Sequence, residues 1–461
     1  MEPHRHVTSH HYVFTLTGRQ RPSVVGRLIL DALASGCPEC RRAWDLLAGE
    51  GDRLSERIVS VDAEASAVGG PGDEDDPPAL RPVVARLEEE VGLLQLERSR
   101  RWSRDLRALL RLPAHRRADR VRGARRRFGS VGLAILLLEE SRRRVRTEPA
   151  EAESLAALVP LVLRSGAAAP GDPEVHALSV RAAAHRANAR RVAGDLPAAE
   201  TAFVALRTEL AARPLADAAV EAEVASLEAS LRLGQREVQL AEELLDRAVL
   251  LYREAGDERG ETRVLVQQAM LLHDLERPAE ALDRLEEATP RLDPEADLYL
   301  FTTVITARVI CLCELARWDE AGALLDEHVD AYEALDDPHA AAILRNLYGR
   351  VALGQARYDA AVEAFSSSRD AHLAIGRVYD AALTALDLAV AYREAGRRGE
   401  LRRLATELVP AFRSRGVGRE TLVALRLLVR AIAADELSAD LVRRLRRRIE
   451  AERSAVPDPR D

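Results

Sequence analysis

A 40-residue repeat constrains this chain more than any other feature. Ala241, Ala281, Ala321 and Ala361 stand 40 positions apart, with Leu401 in the same register. A second ladder, Gly256, Asp336, Gly376 and Gly416, keeps the period, with Ala296 at the missing step, and marks turns between repeats. Each small rung is followed four positions later by a large residue (Leu245, Leu285, Leu325, Phe365), which places the two on one helical face. The small residue lets a partner helix approach, and the large one fills the seam. Arg317–Ala321 and Arg357–Ala361 repeat one local pattern, arginine, aromatic, aspartate, a variable residue and alanine. The chain therefore reads as a tandem array of helix pairs before it reads as anything else.

Composition agrees with an all-α protein, since aromatic residues make up only 4%. Lysine is absent, so all 67 basic residues are arginine. A net charge of −8 gives no global drive toward nucleic acid or acidic membranes. Four cysteines in two close pairs do not form a disulfide framework, and a reducing cytosol is the expected compartment. No run approaches the roughly 20 apolar residues of a membrane helix. The amino-terminal residues are rich in His rather than in a signal-type apolar core, so a cytoplasmic location is expected.

The repeats resemble the tetratricopeptide (TPR) family. Residues 338–377 carry the marks best, with Tyr348 and Gly349 in the first helix (A) and Ala361 and Phe365 in the second (B). Gly349 lies 12 positions before Ala361, where that motif has its small helix-A residue, and Ala229, Ala269 and Ala389 take the same place elsewhere. The period is 40 rather than 34, and Val309 and Leu401 stand where small residues belong; the longer period implies longer helices. The resemblance implies a TPR-like α-solenoid of about six helix pairs over residues 173–433. It also implies a protein or peptide bound along the A helices. The positions it points to are Arg263, Met270 and His273, then Thr303 and Thr306, then Asn346, Arg350 and Arg393. Asn346 and Arg350, one turn apart, suit a peptide carboxylate or backbone.

Residues 1–50 form a small helical module in which two helices flank Gly36-Cys37-Pro38-Glu39-Cys40. Thiolates at that spacing can share one metal, so the turn has the layout of one half of a zinc site. The layout resembles the zinc-finger domain of anti-sigma factors, with Leu33 where that motif has its histidine. The resemblance implies bound zinc, its remaining donors drawn from His6, His10 and His11, and transcriptional control through a sigma factor. Two other readings of Cys37 and Cys40 stay open: ordinary thiols in a module that kept its shape and lost its metal, or a redox pair.

Residues 51–80 read as an acidic Gly/Pro linker that tethers this module. Residues 81–172 are helical and Arg-rich. Between Arg98 and Arg127 stand 13 arginines and two acids, Asp105 and Asp119, a local charge near +11. The stretch is either a phosphate-facing surface for nucleic acid or a solvated face paired with the acidic linker, and the second is preferred. Residues 434–461 read as a capping helix and tail, with Leu437, Leu441, Leu445 and Ile449 inward and Arg443, Arg444, Arg446, Arg447 and Arg448 outward.

Phosphate-binding loops, nucleophile elbows, zinc-protease helices and dinucleotide fingerprints are all missing from the sequence, so no enzyme is expected. Cys311 and Cys313 are two apart on a helix and so point about 200° away from each other. They read as buried packing thiols.

Overall fold

Left-handed residues set the boundaries of the repeats. In the computed structural model, which describes residues 22–48, 81–166, 171–292, 294–295 and 297–455, Gly256, Asp336, Gly376 and Gly416 all have positive φ, from 48° to 77°. These are the second ladder of the sequence; its fifth step, Ala296, lies outside the described residues. A further ladder marks the turn inside each pair: Arg236, Glu276, Ala316, Ala356 and Gly396, again 40 apart, have φ between 58° and 69°. Four of these five carry a side chain in a conformation that suits glycine.

Among the described residues the chain is entirely helical, with no strand. It divides into two units, Met1–Asp257 and Glu258–Asp461. The first contains α1 (Pro22–Ala34), α2 (Pro38–Ala48), α3 (Arg81–Leu110), α4 (Ala114–Gly123), α5 (Arg125–Phe128), α6 (Val131–Arg144) and α7 (Pro149–Ser165). Two helix pairs follow, α8 (Pro173–Val192) with α9 (Leu196–Ala212), and α10 (Ala218–Gly234) with α11 (Val238–Ala255).

Val25, Ile29, Cys40 and Trp44 share one apolar cluster with Trp102, Leu109, Phe128 and Leu133. Helices α1 and α2 are therefore packed into the Arg-rich region rather than only tethered to it. The contact with α3 is close enough to require Gly92, where an added Cβ would lie 1.8 Å from the Pro22 carbonyl oxygen.

The second unit holds four more pairs: α12 (Glu258–Asp274) with α13 (Pro278–Ala288), α14 (Leu298–Glu314) with α15 (Trp318–Ala334), α16 (Pro338–Gly354) with α17 (Tyr358–Ala374), and α18 (Val378–Glu394) with α19 (Arg398–Arg413). Helices α20 (Arg419–Ala434) and α21 (Ala439–Ala455) complete it.

The seams are built as the period requires. Ala241, Ala281, Ala321 and Ala361 are fully buried, as are Leu245, Leu325 and Phe365. A Cβ on Gly349 would stand 2.7 Å from the Phe365 ring, so glycine is what lets α16 meet that ring. Burying a side chain the size of Phe365 contributes about 1.5–3 kcal/mol.

The turn ladders yield a paired prediction. Ala356→Gly relieves a left-handed alanine and should stabilise the second unit by about 0.5–1 kcal/mol, while Gly376→Ala should destabilise it by a similar amount. Chemical denaturation of the two variants checks both signs.

Candidate functional site

The A-helix face of the second unit is where the resemblance places ligands, and at its α18 end the chain's own C-terminal helix covers it. The residues that run along α18 and α21 pair in an antiparallel register. Arg393 donates to the Leu437 carbonyl, Arg446 bonds Asp387, and Arg453 Nη1 lies 2.8 Å from Asp380 Oδ1. Since α19 already occupies the B side between α18 and α20, α21 covers α18 and α20 from the A side.

Packing and polar contacts both hold α21. Leu437, Val442, Leu445 and Ile449 belong to the apolar cluster that includes Leu386, Leu388, Leu425 and Leu428. The Glu452 carboxylate accepts from the backbone amides of Glu420 (3.0 Å) and Thr421 (2.8 Å) at the N-terminus of α20. Burial opposes the charge, but these amide bonds keep the Glu452 carboxyl below its ordinary value. A Cβ at Gly418 would collide with the Glu452 carboxylate as it is placed, so a side chain there would have to move that carboxylate. Arg448 adds a 2.6 Å pair with Glu420.

The consequence shows on α18, where every residue from Ala381 to Ala389 is buried. A helix buried all round needs cover on every side, and α21 supplies the side that a TPR-like array leaves open. The expectation of a cap with its arginines outward is thus corrected in part. The apolar stripe faces inward as read, but Arg446 also faces inward, onto Asp387, because a carboxylate inside an apolar helix needs a cation.

Asp387 is the centre of the arrangement. Asn346 Nδ2 donates to its Oδ2 at 3.4 Å, Arg350 Nη2 stands 3.6 Å from the same oxygen, and Arg446 takes Oδ1. Arg350 Nε also donates to Asn346 Oδ1 at 3.1 Å, and Asn346 reaches Thr384 at 3.3 Å. Burial by itself would push the Asp387 carboxyl up, yet Arg446 and Arg350 together hold it below the usual carboxylate range. Asn346 and Arg350 do hold a carboxylate, as their spacing suggests, but it comes from the neighbouring helix of the same chain.

The other expected groove residues divide into struts and exposed positions. His273 Nε2 lies 3.1 Å from Glu314 and joins α12 to α14, Thr306 meets the Tyr332 hydroxyl at 2.7 Å, and Arg393 joins α18 to the start of α21. Arg263, Met270 and Thr303 are exposed, Met270 at 61%. Asp387 is not among the expected groove residues, although the sequence marks it as a single acid within the apolar run Leu383–Val390.

The cysteine expectations meet different ends. Cys311 and Cys313 are buried, and burial pushes their thiols up to about 12 and about 11, as packing residues require. Cys37 and Cys40 are buried in the cluster with Trp44, but among the described residues no third His, Cys, Asp or Glu joins them as a metal ligand. Two thiols are half of a structural zinc set, and His6, His10 and His11 lie outside the described residues.

In the Arg98–Arg127 stretch, Arg117 is buried, bonded to the Leu109 and Leu112 carbonyls and paired with Glu151 at 2.6 Å. Arg98 packs over the Trp44 ring at 5.8 Å. The remaining eleven arginines are exposed.

No protein-family model matches the chain, and no curated protein matches it either. Solved structures do. A signal-transduction ATPase with numerous domains that carries a tetratricopeptide repeat sensor, from Pyrococcus horikoshii, is 12% identical over 94% of this chain and 72% of its own, with a TM-score of 0.51. The apo form of RapI is 13% identical over 76% of this chain and 95% of its own, with a TM-score of 0.50. These are likenesses of fold, and the fold is a TPR-like array of helix pairs. No described helix is long and apolar enough to cross a membrane.

His273 gives a pH prediction with a definite sign. Hydrogen bonds to Asp274 and Glu314 raise its imidazole to about 10. A raised histidine contributes stability that is complete below its ordinary value of about 6.5 and is lost as pH climbs toward 10. The stability deficit of His273→Gln relative to the parent should therefore be largest below pH 6.5 and shrink toward pH 10. Denaturation across that range reads it, and a deficit independent of pH would refute the assignment.

Proposed function

We propose that the chain is a non-enzymatic protein-binding scaffold whose A-helix face receives an amphipathic, arginine-bearing helix, with α21 as the resident occupant. The observation that carries this reading is the antiparallel docking of α21 on α18. Helix-in-groove recognition uses an apolar stripe for affinity and flanking charges for register. Both are present in α21: Val442, Leu445 and Ile449 form the stripe, and Arg446 and Arg453, seven residues apart, meet Asp387 and Asp380, also seven apart. A partner helix with the same stripe and the same arginine spacing competes with α21 for this face. Exposed Met270 and Thr303, on the A helices α12 and α14, offer further surface to a longer partner.

A chain ending at Asp435, mixed with a labelled peptide of residues 436–455, tests the reading. The peptide should bind, and its Arg446→Ala form should bind about tenfold more weakly, because losing Arg446 leaves the buried Asp387 carboxylate short of a cation. Fluorescence anisotropy gives the affinities. Absence of binding to a truncated chain whose circular dichroism is still helical would reject the proposal.

The eleven exposed arginines of α3 to α5 support a second reading, a nucleic-acid-associated regulator. Phosphate contacts of that kind predict affinity for DNA or RNA that falls steeply with added salt. Failure of both nucleic acids to bind at low salt would remove this reading and leave the first untouched.

A further inference from the structure

Away from the Asp387 centre, three helix ends meet at one edge of the second unit. His339 lies in the first turn of α16, His372 in the last turn of α17 and Asp380 in the first turn of α18. One ring nitrogen from each histidine and a carboxylate oxygen of Asp380 all fall within 4.8 Å of one another. The two rings pack edge to face with centroids 5.4 Å apart.

Two features separate this cluster from a chance meeting of polar residues. His372 is only 2% exposed, and the Nδ1 atoms of both histidines are buried without a hydrogen-bond partner. A buried polar atom left unpaired is costly and uncommon in folded proteins. Burial also lowers both imidazoles from their ordinary value, His372 to about 4, so both rings are neutral near pH 7, the form that ligates metals.

We propose that His339, His372 and Asp380 form a binding site for a divalent transition-metal ion of the zinc class, in competition with Arg453 for Asp380. Two imidazoles and one carboxylate make a donor set suited to zinc, with a fourth position for water. Zinc bonds of about 2.0–2.2 Å would hold the donors about 3.3 Å from one another, a closing of at most about 1.5 Å from their present spacing. The same carboxylate now holds Arg453 of α21 at 2.8 Å. A dication and a guanidinium repel each other across one shared anion, so metal binding weakens the last anchor of α21. Asp337 and Arg377 are the other charged groups that act on the two histidines. The metal site stands whether or not the A-helix face takes a foreign partner.

The test uses the full chain carrying Cys37→Ser and Cys40→Ser, so that the amino-terminal thiols cannot contribute. Titration with zinc ion, followed by calorimetry and by elemental analysis after gel filtration, should show about one ion per chain. Asp380→Asn and His339→Gln should each lose it while keeping the parent's circular dichroism; two variants guard against one that fails to fold. Arg453→Ala should tighten zinc binding about tenfold, because it removes a positive charge next to the ligand carboxylate. No bound zinc in the parent, or zinc retained in both ligand variants, would overturn the site. Unchanged affinity in Arg453→Ala would overturn the competition with α21.

Discussion

The repeats depend on how closely neighbouring helices approach at their small-residue rungs. Ala241, Ala281, Ala321 and Ala361 have no exposed surface, and the Phe365 ring lies 2.7 Å from where a Cβ on Gly349 would stand. At these four rungs a side chain larger than alanine would push the two helices apart, since interiors are packed near crystal density. Such contacts are sensitive to helix phase, so each turn must return the chain to the same angle. Left-handed residues at both turns of the pairs supply that angle, and four of the five inner-turn positions hold Arg, Glu or Ala in that strained conformation.

Once the A helices lie side by side, their polar residues meet from one helix to the next. In the first unit, Glu223 of α10 receives Arg181 at 2.6 Å and His185 at 2.9 Å, both from α8. In the second, His273 meets Glu314, and Asn346 with Arg350 meets Asp387. The polar residues of the A face thus tie neighbouring repeats together. Several of the residues that the TPR resemblance points to, His273, Asn346, Arg350 and Arg393, serve in the structure as internal struts.

The sequence reveals most of the fold because periodicity is a local property that tertiary packing cannot disguise. The rungs, their following large residues and the turn ladder through Gly256, Asp336, Gly376 and Gly416 are all visible in it. The destination of α21 is not visible. An amphipathic helix at the end of an array has the same pattern whether it closes the last pair or folds back on the A face. The pattern that separates the two lies on α18, whose run Ala381–Ala389 is apolar except for Thr384 and Asp387. The cluster of His339, His372 and Asp380 was hidden for another reason. Its members stand 33 and 8 residues apart, and only the packing of three successive helices brings them to one edge.

The charges of α21 decide its register more than its stability. Its stripe of Leu, Val and Ile would find apolar surface in several positions along the A face, because hydrophobic contact is not directional. Asp380 and Asp387 accept Arg453 and Arg446 together in one register only, and a slip of one turn would leave Asp387 buried without its full set of cations. Desolvation offsets much of what such half-buried pairs gain, so they specify position while adding little net affinity. A helix held this way is placed with precision, and on the proposed function it is the occupant that a partner helix would have to displace.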